Sequence, residues 1–231
     1  LGQIAPQASE KTQMDCVKIL SQVVKGEGKR SDTQTVNFGL SALGRIAGVT
    51  PADDGTGGAP ASVRDKAIET LLRAFDSNKT GTKNFAALGL GLAARDQDAQ
   101  IRMPIQERIR NTLARTSGDV EKRGAMIISL GMLKDRQAAP LLQKLLEDRG
   151  LQKELRGTAA VALGLMGERK ALPAIRAALA EKQDRKLRVD AGIAAGLLKD
   201  NTAVPSLIEI LQDPKSSHFI LGSVALALGP P

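Results

Sequence analysis

The sequence predicts an all-α fold in which antiparallel helical hairpins stack into a solenoid, and three observations predict it. First, a glycine-centred motif recurs: "GAMIISLGMLKDRQAAPLLQKLL" returns 33 residues later as "GTAAVALGLMGERKALPAIRAAL" and again as "DAGIAAGLLKDNTAVPSLIEIL". Second, apolar residues fall at helical spacing, as at Leu141, Leu142, Leu145 and Leu146, with polar residues opposite. Third, the core must be aliphatic, because the 231 residues include four Phe and no Tyr or Trp. Small aliphatic side chains let helices approach closely and stack in uniform layers.

Aligning the repeats on Gly44, Gly91, Gly131, Gly164, Gly196 and Gly229 gives intervals of 47, 40, 33, 32 and 33 residues, the range of stacked helical repeats. Around the later anchors the columns agree. Arg123, Arg156, Arg188 and Leu221 stand eight residues before the glycine; Asp135, Glu168 and Asp200 stand four after it; Pro140, Pro173 and Pro205 stand nine after it. The two early units are tied together by "NFGLSALGRIAG" and "NFAALGLGLAAR", which align without a gap.

Six hairpins follow, as one repeat domain over 1–231 that is looser over 10–118 and regular over 119–229. The first pairs helices near 10–25 and 33–48 across the turn "GEGKRSDTQ". "VTPADDGTGGAPAS", residues 49–62, has no apolar period and reads as a mobile surface loop before the second pair, near 62–76 and 80–95. The third pairs 100–115 with 119–134, where Asp119 stands at an N-cap position. In the fourth, fifth and sixth, Pro140, Pro173 and Pro205 start helices at 137–147, 170–181 and 202–212, since a first-turn N–H has no intrahelical partner to lose. Their second helices fall near 153–167, 185–199 and 216–228, beyond the polar turns "EDRG", "EKQD" and "QDPKSS", and Asp184 stands where an N-cap is useful. The anchor glycines sit inside second helices despite a cost of about 1 kcal/mol each relative to Ala. Close backbone crossings between neighbouring repeats account for them, whereas Gly167 suits a C-terminal cap.

These residues resemble a known family. "LRGTAAVALGLMGERKALPAI", with its Arg-x-x-Ala-x-x-Ala-Leu-Gly helix and an acidic residue before Ala-x-Pro, is similar to the short HEAT-like repeat found also in phycobilisome lyases. The resemblance is strongest over 119–229. It implies a right-handed α–α superhelix whose second helices line a concave side that binds another macromolecule. It also implies a contrast with the HEAT-like deoxyhypusine hydroxylases, because a chain with His218 as its only histidine lacks the recurring His-Glu pairs of their di-iron site.

The remaining chemistry points away from catalysis. Cys16 is the one cysteine and reads as a small core residue, His218 as the start of a surface helix, and repeat neighbours alone touch, so the two have no route to each other. Asp135, Glu168 and Asp200 recur with the fold and read as turn residues. We therefore expect no catalytic residue, no metal and no cofactor. No apolar run is long enough to span a membrane, and no compartment is indicated. A start at Leu1 and an end at "LALGPP" within a helical pattern read as a fragment of a longer chain, compatible with a removed targeting segment.

Charge carries the positive hint. Thirty-three Lys and Arg against 25 Asp and Glu give +8, which favours acidic partners. Lys83, Arg123, Arg156 and Arg188 share a column near the N-terminal ends of successive second helices and are the candidate partner-binding residues. Two roles are open to that column: binding a partner, or pairing with acidic turn residues of adjacent repeats, with Asp119 and Asp184 four residues before Arg123 and Arg188. Two further clusters, Arg102, Arg108, Arg110, Arg115 and Lys182, Arg185, Lys186, Arg188, have the same two roles open. A column three residues before the anchors, Ser41, Leu88, Ile128, Val161, Ile193 and Leu226, either completes the core or forms an apolar binding strip. The reading is a noncatalytic protein-interaction scaffold for an acidic protein surface. Its alternatives are backbone-directed binding to nucleic-acid duplexes, base-specific recognition being disfavoured because single-strand recognition uses aromatic platforms, and an auxiliary lyase or chaperone-like subunit implied by the resemblance.

Overall fold

The computed structural model describes residues 8–26, 32–50, 58–77, 81–213, 218, 221–222 and 224–225. Among them are eleven α-helices and no strand, and the chain divides into two compact units, residues 1–117 and 118–231. The division falls where the repeat becomes regular.

The first unit contains α1 (Glu10–Lys25), α2 (Thr33–Ala47), α3 (Ala61–Asp76), α4 (Lys83–Ala94) and α5 (Ala99–Arg115). Side-chain oxygens begin two of these helices: Ser9 accepts from the Thr12 amide and Asp32 from the Thr35 amide, each satisfying a first-turn N–H that has no intrahelical partner. Helices α1 and α2 pair, as do α3 and α4, and α2 then packs on α4 while α1 packs on α3. A buried hydrogen bond between Ser21 and Thr70 hydroxyls, 2.9 Å, joins α1 to α3. Leu40, Leu43, Ile46, Leu71, Phe75 and Leu90 are fully buried here.

The second unit contains α6 (Val120–Met132), α7 (Ala139–Glu147), α8 (Lys153–Met166), α9 (Leu172–Leu179), α10 (Arg185–Leu197) and α11 (Val204–Gln212). Second helices α6, α8 and α10 pack side by side, and α7 and α9 lie against their own partners α8 and α10. Asp119 and Asp184 cap α6 and α10 through the Lys122 and Leu187 amides. Pro140, Pro173 and Pro205 occupy the first turns of α7, α9 and α11. The helix expected at 216–228, with Leu226 and Gly229, lies largely outside the described residues, although His218, Leu221, Gly222, Val224 and Ala225 are helical. Half of the 49–62 loop, residues 51–57, and most of the 26–34 turn, residues 27–31, also lie outside them.

Close crossings explain the anchor glycines. A Cβ on Gly44 would sit 2.7 Å from Gly89 Cα, one on Gly131 2.8 Å from Ala162 Cα, and one on Gly164 2.9 Å from Ala194 Cα. Each anchor faces the residue two places before the next anchor, and that residue is small because the backbones touch. Three residues past the anchor the chain turns left-handed: Lys134, Gly167 and Lys199 have φ of 52°, 72° and 55°. The following amides, on Asp135, Glu168 and Asp200, then reach back to the carbonyls of Leu130, Leu163 and Ala195 at 2.9 to 3.0 Å, which closes each helix in the manner of a Schellman cap.

Those three acids have the turn role their recurrence suggests. Asp135 accepts from the Gln137 amide, Glu168 from the Lys170 amide, and Asp200 from the Thr202 amide and hydroxyl. Cys16 departs from expectation: it is half-buried on α1 rather than a core residue.

Candidate protein-interaction surface

The arginine column splits into three different environments. Arg156, on the first turn of α8, is 5% exposed. Its Nε donates to the Leu146 carbonyl at the end of α7 (2.9 Å), and its two terminal nitrogens donate to the Glu181 carboxylate beyond α9 at 3.0 and 2.6 Å. Arg188 repeats the design one hairpin on, donating from Nε to the Leu179 carbonyl and from Nη2 to Glu209 on α11, both at 3.0 Å. Each arginine therefore caps the end of its own hairpin's first helix and clamps the next repeat, Arg156 by a bidentate and Arg188 by a single bond to the carboxylate, a use that suits a planar guanidinium. The hydrogen bond from Arg156 holds the Glu181 carboxyl below its ordinary range.

Arg123 lacks such a carboxylate among the described residues, and its buried Nε has no hydrogen-bond partner. Lys83, in the first unit, lies over the Phe75 ring, 5.5 Å from its centroid. The structure thus brings Arg156 and Arg188 into one interlocking series in the second unit and gives Lys83 a different local role. The local pairs of Asp119 with Arg123 and Asp184 with Arg188 are not formed. Both aspartates are used as helix caps, and their second oxygens face Lys122 at 3.0 Å and Lys153 at 3.4 Å.

The denser cluster at the α9–α10 turn is similarly occupied. Lys182 pairs with Glu209 (3.0 Å), Arg185 with Asp213, and Lys186 with Asp190 (2.7 Å). Asp190 lies over Gly157, where an added Cβ would come within 2.2 Å of its Oδ2. Burial raises the Asp190 pKa against the opposing pull of Lys186. In the first unit, Arg108 makes a two-point contact with Asp76, and Arg102 donates to the Gln97 carbonyl. Sequence spacing missed Glu181, Glu209 and Asp213 as the partners because they lie 21 to 28 residues from the cations they serve; the repeat length itself was the available signal.

The apolar column has an intermediate position. Leu88 on α4, and Ile128, Val161 and Ile193 on α6, α8 and α10, are half-buried. One turn further along the last three helices stand Met132 and Leu165, half-buried, and Leu197, 46% exposed. In the second unit these side chains share one phase of three adjoining helices, so they form a strip along that layer. Ser41 on α2 is half-buried also, whereas Leu226 lies outside the described residues.

Among the described residues no three His, Cys, Asp or Glu side chains gather in a way that suits a metal ion, and no helix is long and apolar enough to cross a membrane. The crossings, caps and clamps define a protein of stacked helical repeats. Residues 107–194 match the family model described as HEAT repeats, the likeness that the Arg-x-x-Ala-x-x-Ala-Leu-Gly helix led us to expect. No match singles out the phycobilisome-lyase branch, and no curated protein matches the chain. Among solved structures the chain is similar to human deoxyhypusine hydroxylase in complex with glycerol, at 15% identity and a TM-score of 0.39, over 94% of this chain and 96% of that one.

Proposed function

We propose that this chain is a noncatalytic scaffold that binds another protein on the surface presented by its second helices. The observation that carries this reading is the strip of Ile128, Val161, Ile193 and Leu197, aliphatic side chains left partly open on three adjoining helices whose crossings are otherwise closely packed. A partner helix or extended segment gains free energy by covering such a strip. HEAT repeats commonly mediate protein interactions, which agrees with this use. Support for a noncatalytic role comes from the recurring carboxylates, since Asp135, Glu168 and Asp200 are all committed to capping turns. The +8 charge favours an acidic partner and acts on the rate of encounter more than on affinity.

The same charge supports a second reading, backbone-directed binding to nucleic acid. Affinity purification from source-cell extract, with nuclease treatment, separates the two. A nuclease-resistant protein should be retained by the wild-type chain and lost from an Ile128→Glu/Leu197→Glu variant whose circular dichroism is unchanged. Retention of the same protein by the folded variant, or recovery of nucleic acid in its place, overturns the proposal.

A further inference from the structure

We propose that the charged half of the docking surface lies along the turns between successive hairpins of residues 118–213, and that it takes an acidic, aliphatic polypeptide segment. This rests on the protein-binding reading and goes beyond it by moving the charged site to the opposite ends of the second helices from the arginine column.

The tertiary structure sorts charges that are mixed in sequence. The three turns read Lys134-Asp135-Arg136, Glu168-Arg169-Lys170 and Lys199-Asp200-Asn201. Each acid turns inward to cap its own turn: Asp135 and Asp200 are buried and Glu168 is half-buried. Lys134, Arg136, Arg169, Lys170 and Lys199 are exposed. Arg169 donates to the Leu198 carbonyl at 2.7 Å, which leaves its charge unneutralised. The other four make no ion pair with a described residue. The contrast with the hairpin tips is sharp, because there Arg156, Lys182, Arg185 and Arg188 each meet a carboxylate. Glu209 serves two of these cations and Arg123 has no carboxylate among the described residues, so the tips are largely rather than fully neutralised; the inter-hairpin edge keeps more of its field.

Shape and chemistry narrow the occupant. Between α7 and the turn before α9 lies a groove of about 610 Å³. Arg136, Arg169 and Lys170 stand around it, with the single carboxylate Glu168, over an apolar floor that includes Ala139, Pro140 and Met166. Beside this edge, Met132, Leu165 and Leu197 close the apolar strip two residues before the left-handed residues. A nucleic-acid backbone uses cations alone, and bases need aromatic platforms. An apolar floor bordered by cations instead complements a segment that carries both aliphatic and acidic side chains. Neighbouring helices lie about 8–10 Å apart and an extended chain rises about 3.3 Å per residue. Acidic residues about three apart, with aliphatic ones between them, therefore meet successive cation groups.

The test uses fluorescence anisotropy with a labelled peptide of about five Glu-Leu-Ser triplets and, separately, a duplex DNA of about 20 base pairs. Three folded forms are compared: wild type; Lys134→Ser/Arg136→Ser/Lys170→Ser/Lys199→Ser at the inter-hairpin edge; and Lys122→Ser/Arg149→Ser/Lys153→Ser/Lys182→Ser at the hairpin tips. The two variants remove equal charge. Wild type should bind the peptide more tightly than the duplex, the edge variant should lose at least about tenfold in peptide affinity, and the tip variant less than about threefold. Equal losses in both variants, or no peptide binding, overturn the proposal. Peptide binding that survives the edge variant but is lost in Ile128→Glu/Leu197→Glu overturns the edge alone and leaves the scaffold standing. Preference for the duplex overturns both.

Discussion

Gly124 and Gly131 occupy the same helix, α6, and the packing account requires that replacing each by alanine shift stability in opposite directions. In a helix interior Gly→Ala is favourable by about 0.5–1 kcal/mol, because the unfolded chain loses freedom and the helix gains propensity. At Gly124 nothing opposes that gain: the nearest atoms to the new Cβ are Thr158 Cγ2 and Oγ1, both at 4.0 Å, an ordinary contact. At Gly131 the Cβ would lie 2.8 Å from Ala162 Cα and 3.0 Å from its Cβ and carbonyl oxygen. Two of those three atoms are backbone, so relief requires α6 and α8 to separate by several tenths of an ångström. Overpacking of this kind costs about 1–3 kcal/mol. The expected balance is stabilisation by about 0.5–1 kcal/mol for Gly124→Ala and destabilisation by about 1–2 kcal/mol for Gly131→Ala. Urea titration followed by circular dichroism reads both as midpoint shifts at constant slope; with a slope of about 2 kcal/mol per molar, they are about +0.3–0.5 M and −0.5–1 M. Shifts of the same sign, or a higher midpoint for Gly131→Ala, refute the assignment of the anchors to backbone crossings.

Other substitutions test the clamps and turns. Arg156→Ala strips the Leu146 carbonyl and Glu181 of their partners and should destabilise by about 3 kcal/mol, while Lys182→Ala, from a side chain 73% exposed, should leave the urea midpoint unchanged. Lys199→Gly should stabilise by about 0.5–1 kcal/mol, since φ of 55° is strained for lysine, and Gly167→Ala should destabilise by about 1 kcal/mol at the equivalent place, φ 72°; thermal melts check both. The two hydrogen bonds from Arg176 to Asp200, each 2.8 Å, lead the causes that lower its pKa from 3.8 to about 2. Because the folded value is the lower one, this stabilisation is complete above about pH 4 and is lost as pH falls through about 2. The shift corresponds to about 2 kcal/mol, which solvent around the half-exposed Arg176 reduces to about 1 kcal/mol. Urea midpoints measured from pH 2 to 7 should therefore fall more steeply below pH 4 in the wild type than in Arg176→Ala.

Element boundaries were legible because their causes are local. Asp119 and Asp184 cap helices from one residue outside them, and a proline in a first turn starts α7, α9 and α11 wherever those helices pack. The anchor glycines were legible for a related reason: a residue costly to a helix recurs only where a neighbour requires it, and Gly131 and Gly164 meet Ala162 and Ala194 directly. The candidate site was less legible. Arg156 and Arg188 stand in a column whether they clamp repeats or face a partner, and the choice depends on Glu181 and Glu209, which belong to the next hairpin.

By itself, then, the sequence determined an all-α repeat, its helix limits and the columns that recur within it, because backbone propensity, capping and hydrophobic period act over a few residues. Tertiary structure alone decided which charges are used up. Asp135 and Lys134 are adjacent in the chain, yet a left-handed turn at Lys134 directs the acid inward to a backbone amide and leaves the lysine exposed. At the hairpin tips, stacking brings carboxylates from one repeat onto cations of another. Charge balance along a sequence counts both groups alike, whereas the field at a surface depends on which of them remain unpaired after folding.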